Sequence, residues 1–101
     1  MAVSSGYLAK MQRAVRIKTA SADVTAELTD LVEEARADLI SLGVLATKAN
    51  NEADSLILGA VRCFVRWKMA PDPVEAAANR EDYTTLKDEL RRKVAYTDED
   101  A

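Results

Sequence analysis

The residues of this chain that could do chemistry are mostly carboxylates. Glu27, Asp30, Glu33, Glu34 and Asp38 crowd one stretch. Clustered carboxylates are the raw material of a hard-cation site or an acid–base pair. Either would need partners that the sequence withholds. There is no histidine and a single cysteine, Cys63, so a tetrahedral nitrogen–sulfur zinc site cannot be built. The same absence closes Ser-His-Asp and Cys-His catalysis. Neither the Glu-x-x-His spacing of di-metal bundles nor a glycine-rich phosphate loop occurs. Carboxylate chemistry alone remains, and the plainer account of these acids is a solvated helix face. Cys63, beside Phe64, reads as a small buried hydrophobe rather than a reactive thiol. One cysteine allows no intramolecular disulfide, which fits assembly in a reducing cytoplasm. An enzyme is therefore the weakest functional reading, and neither cofactor nor metal is expected.

Helices must position these residues. The 101 residues suit one domain with one core. Hydrophobic residues make up 49% and charged residues 31%, with only three glycines and two prolines, a composition that favours helix. No apolar run approaches the roughly 18 to 20 residues that span a bilayer, and no signal peptide is seen. From Asp54 to Met69, apolar residues at 57, 60, 61, 64 and 65 follow helical spacing, and Leu56, Cys63 and Trp67 widen the stripe. So apolar a helix must be covered by others, which makes it the central element, with Gly59 permitting a close backbone approach. Before it, Leu8, Met11, Ala14 and Val15 mark a short amphipathic helix from Tyr7 to near Ile17. Ser21 and Asp23 start a second helix running to about Leu42, whose apolar face carries Val24, Leu28, Leu31, Val32, Ala35, Leu39 and Leu42. Gly43 is the expected left-handed cap, Val44 and Leu45 fold back, and residues 46–51 read as a polar loop. Pro71-Asp72-Pro73 turns the chain, and a last helix runs from Val74 to Val94 with Tyr83, Leu86, Leu90 and Val94 inward. The expected fold is all-α: a small four-helix bundle with an apolar central helix at about 54–69, a short N-terminal helix and a flexible acidic C-terminal tail. Residues 1–101 form one helical domain, with 1–6 and 97–101 as flexible arms.

Net charge is -3 but unevenly spread. Residues 1–20 carry Lys10, Arg13, Arg16 and Lys18 and no acid, whereas residues 21–58 carry eight acids against Arg36 and Lys48. Such asymmetry suggests contact between unlike patches, within the chain or between copies. Solvated helix faces are the bland alternative for any single charge. Arg62, Arg66 and Lys68 form a further basic strip, or simply suit the C-terminal end of the helix dipole.

The order of these signals carries a resemblance. A short helix ends in Ala14-Val15-Arg16-Ile17-Lys18-Thr19. A helix holding Glu27-Leu28-Thr29-Asp30-Leu31-Val32-Glu33-Glu34-Ala35-Arg36 closes on Leu42-Gly43-Val44. Then come Asp54-Ser55-Leu56-Ile57-Leu58-Gly59-Ala60-Val61, Phe64-Val65, and Tyr83-x-x-Leu86-Lys87-x-x-Leu90, with the pattern ending near Tyr96. From about Leu8 to Tyr96 the chain resembles the head–tail connector (head-completion adaptor) proteins of tailed bacteriophages. The family's Asp-Pro before the central run is Asp54-Ser55 here, and its glycine-aromatic turn is Met69-Ala70-Pro71-Asp72-Pro73.

The resemblance implies a virion protein of the neck, at the head–tail interface. Members form a dodecameric ring below the portal protein, extend the DNA channel, and dock the next neck or tail completion protein. DNA passes without sequence-specific binding, no membrane is involved, and no cofactor is implied. A closed ring needs two different patches per subunit. Arg13, Arg16 and Lys18 are expected to meet Glu33, Glu34 or Asp38 of a neighbour. Arg62, Arg66 and Lys68 either line the channel and touch DNA or face a neighbouring subunit, and the second is the expectation. Tyr96, Thr97, Asp98, Glu99 and Asp100 are expected to order on docking to the portal or neck. The alternative is a small helical protein-interaction module, a regulator or adaptor unrelated to virions. A helix-turn-helix DNA reader is disfavoured by the acidic balance and the lack of a basic recognition helix.

Overall fold

The computed structural model describes residues 2–17 and 21–99, and the described residues are all-helical, with no strand. Six helices follow in order: α1 (Ser5–Ala14), α2 (Ala22–Ser41), α3 (Ala46–Ala49), α4 (Ser55–Met69), α5 (Pro73–Arg92) and α6 (Val94–Thr97). Short polar side chains start the four longer ones. Ser4 caps α1 by accepting from the Tyr7 amide, and Ser21 caps α2 by accepting from Val24. Asp54 accepts from both Leu56 and Ile57 at the start of α4, and Asp72 accepts from Val74 ahead of Pro73, the first residue of α5. Each such cap satisfies amides that have no partner inside the helix and contributes about 1 kcal/mol. Gly43 ends α2 with φ at 105°, a conformation only glycine adopts without strain.

Two long-range contacts fix the direction of α1. Ser4, at its start, is bonded to Glu52, just ahead of α4. At its end the Ala14 carbonyl accepts from Arg66 Nε at 3.2 Å, near the finish of α4. Helices α1 and α4 therefore run parallel. α5 returns antiparallel, because Tyr96 beyond its end donates to Asp54 Oδ2 at 2.8 Å. The buried side of α4 is Ile57, Ala60, Val61, Phe64 and Val65, and it lies against α5, α2 and α1. Tyr7 and Met11 of α1, Leu28, Leu31, Val32, Ala35 and Leu39 of α2, and Tyr83 and Leu90 of α5 complete the core. Full burial of one such large aliphatic or aromatic side chain contributes roughly 1.5–3 kcal/mol.

Several expectations need correction. α1 begins at Ser5, with Ser4 as its cap, so residues 4–6 are not a loose lead-in. It stops at Ala14 rather than Ile17, because Arg16 takes φ of 61° and cannot continue a right-handed helix. Residues 46–49 are not loop but the short helix α3, with Ala49 buried. α5 breaks at Lys93, where the chain turns extended, and α6 follows it. α4 is not covered on every side, since Leu56 is 44% exposed.

Gly59 corrects the last of these expectations. A Cβ built there meets nothing within 4 Å, so no neighbouring backbone requires the glycine. In a helix interior glycine costs about 1 kcal/mol relative to alanine. Gly59→Ala is accordingly expected to stabilise the protein by about 0.5–1 kcal/mol in urea unfolding. A destabilised variant would show that a close helix contact occupies that space.

Candidate functional site

The acids of α2 divide by helix face. Glu27, Asp30, Glu33 and Glu34 are exposed, and none forms an ion pair among the described residues. Asp38 is turned inward instead. It accepts from the Tyr83 hydroxyl at 2.5 Å and from Lys87 Nζ at 3.5 Å. Asp38, expected to meet a neighbour, is thus already engaged within its own chain, with its side chain still partly exposed. No three His, Cys, Asp or Glu side chains among the described residues converge so as to hold a metal ion.

The cations divide too. Arg13 and Arg16 stand exposed at the end of α1, without an ion pair among the described residues. Arg66 joins them in space: Arg16, Arg66 and Glu75 line one small cavity beneath the end of α1. Its bond to Ala14 satisfies a carbonyl at the C-terminus of α1, where positive charge also suits the helix dipole. Arg66 therefore has a role inside the chain beyond the interface expected of it. Arg62 is half-buried on α4. Lys18 lies outside the described residues.

The C-terminal residues correct a further expectation. Tyr96 is already docked: its hydroxyl is on Asp54, and its carbonyl accepts from the Leu45 amide at 2.8 Å. Thr97 closes α6 and donates to the Lys93 carbonyl. Asp98 and Glu99 are exposed, and Asp100 lies outside the described residues.

Two features escaped the sequence reading. One is Arg36, only 3% exposed. Its guanidinium donates to Glu52 Oε2 at 3.1 Å and sits 5.2 Å from the Tyr7 ring centre. Glu52 in turn accepts from the Ser4 amide at 3.0 Å and from its hydroxyl. A buried charge is tolerable only when paired, and Glu52 supplies the pairing. The signal was available: Arg36 falls four residues after Val32, on the apolar face of α2.

The other is an aromatic groove where α2, α4 and α5 meet. Phe64, Trp67 and Tyr83 form its floor, with Glu34 and Asp38 on one rim and Lys68 and Lys87 among its walls. Phe64 meets Trp67 edge to face at 5.5 Å and Tyr83 at 5.1 Å. Cations already rest on these rings. Lys68 Nζ is 4.1 Å from the Trp67 centre and 5.5 Å from that of Phe64, and Lys87 is 5.1 Å from Tyr83. Arg80 approaches Trp67 at 5.5 Å. Such contacts are attractive by about 0.5–1 kcal/mol when exposed. Helical spacing places Phe64 beside Trp67 and Tyr83 beside Lys87, but only the packing of three helices brings the two pairs together.

All three tyrosines resist ionisation in the fold. Burial pushes the Tyr83 phenol up, and donation to Asp38 with the charges of Asp38 and Glu34 pushes it further. Burial also raises Tyr7, though the positive charge of Arg36 pulls the other way. Tyr96 is pushed up to about 12 by burial, by its bond to Asp54 and by that carboxylate's charge. A phenol whose folded value is raised contributes stability that is complete below its unfolded value and lost as pH rises through the folded one. Spectroscopic titration of the folded protein should therefore show less tyrosinate at pH 10 than the denatured chain, with Tyr96 ionising near 12. In denaturant all three should titrate at about 10. A tyrosine ionising normally in the folded chain would mean that its contact is absent. Compared with models of protein families, with curated proteins and with solved structures, the chain matches none.

Proposed function

We propose that this chain is a non-enzymatic structural subunit that assembles with copies of itself into a ring: the head–tail connector, or head-completion adaptor, of a tailed bacteriophage. In this reading α1, α2, α4 and α5 form a four-helix bundle about α4. The ring sits below the portal protein in the neck of the virion, extends the DNA channel and presents a surface to the next neck or tail component. The observation that carries it is the separation of unpaired charge. Arg13 stands on α1 and Arg16 just beyond its end, and Glu27, Asp30, Glu33 and Glu34 stand on α2, with no ion pair made by either set among the described residues.

Two unlike patches on one subunit are what a head-to-tail contact requires, and such contacts close into rings when the rotation permits. The order of helix signals along the sequence, which resembles that of the connector family, supports the same reading. DNA passes such a ring without being gripped, because firm binding needs many unopposed cations, and this chain carries a net charge of -3. No helix among the described residues is long and apolar enough to cross a membrane.

Native mass spectrometry and electron microscopy of the purified chain test this directly. The wild type should give rings, and Arg13→Glu with Arg16→Glu should abolish them. Glu33→Lys with Glu34→Lys, mixed with or built into the reversed protein, should restore assembly. Assembly of the wild type should also weaken as salt rises past the physiological range. Rings unaffected by the reversal would exclude this charge pairing.

A further inference from the structure

The aromatic groove and the arginines of α1 occupy opposite flanks of α4. An α-helix turns about 100° per residue, so Phe64 and Lys68 each stand about 160° around α4 from Arg66. Arg66 holds the end of α1 through the Ala14 carbonyl. Arg16 lines a different cavity from the groove. The chain's own Arg80 approaches Trp67 at 5.5 Å, and Arg16 is placed to reach the groove of another copy rather than its own.

The groove suits a guanidinium. Three rings floor it, Glu34 at its rim has no ion pair among the described residues, and its open volume is about 460 Å³. Arginine both stacks on aromatic faces and forks a carboxylate, and it sheds water more readily than lysine does. Lys68 and Lys87 already occupy ring faces there, which shows that the rings attract cations. Lys87 is tied to Asp38, but Lys68 is exposed and has no ion pair among the described residues, so it is the occupant that can be displaced. On the donor side, Arg16 holds φ at 61°. That conformation is rare for any residue with a side chain, and such strain collects at functional positions.

We propose that the groove floored by Phe64, Trp67 and Tyr83 receives Arg16 of a neighbouring copy, which pairs with Glu34 and displaces Lys68 from Trp67. This rests on the ring reading and names the socket by which one subunit accepts the next.

Sedimentation velocity of the full chain over a range of concentrations tests it, using Arg16→Ala, Glu34→Lys and Lys68→Ala. All three positions are exposed, so folding is not at stake, and circular dichroism checks it. Arg16→Ala and Glu34→Lys should each weaken self-association by on the order of tenfold, whereas Lys68→Ala should tighten it. Mixing the first two should favour a mixed dimer over larger species, because the Glu34→Lys copy keeps its arginine and the Arg16→Ala copy keeps its socket. If the wild type associates and the variants associate equally well, the socket is wrong and the ring reading stands. Weakening by Lys68→Ala would also overturn the socket. A wild type that stays monomeric throughout would overturn both.

Discussion

A guanidinium taken out of water must be answered, and much of this fold follows from how that is done. Arg36 is buried on the inner face of α2, and the nearest answer is Glu52, in the link between α3 and α4. Glu52 is held in turn by the backbone and side chain of Ser4, the cap of α1. One carboxylate thus joins three separate stretches: the start of α1, the C-terminal half of α2 and the approach to α4. The hydrogen bonds from Ser4 and Arg36 together hold the Glu52 carboxyl below its ordinary range, against the opposing effect of burial. Without that node the start of α1 would be held to the core by apolar contacts alone, those of Val3, Tyr7 and Leu8.

A second clasp works at the same pole. Asp54 uses one oxygen to cap α4 and the other to hold Tyr96. The residue that starts the central helix therefore also fastens the far end of the chain. At the opposite pole Arg66 fastens α1 to α4. The order of the helices in space follows from these three attachments together with the Pro71–Pro73 turn.

The helices themselves were legible in the sequence because their signals are local. Ser21, Gly43, Asp54 and the Pro71–Pro73 turn each punctuate the chain through the conformations that their own side chains permit. The buried stripe of α4 was legible from its period. What could not be read depended on neighbours remote in sequence. The place of Arg36 on the apolar face of α2 was readable, but nothing near it announces Glu52 or Tyr7 as its partners. Asp38 looked like a member of the acidic ridge until Tyr83 and Lys87 claimed it. Tyr96 looked like part of a free arm, although a single hydroxyl meeting Asp54 is enough to seat it. The groove was invisible for the same reason, as its three rings come from two helices and its acids from a third.

Trp67 is the chain's sole tryptophan, and it forms part of the groove floor. Light emitted by the whole protein on indole excitation therefore comes from one place. Any partner that settles on that ring, or any lysine that leaves it, alters the colour and yield of that emission, so the molecule carries its own unlabelled indicator of whether the socket is filled.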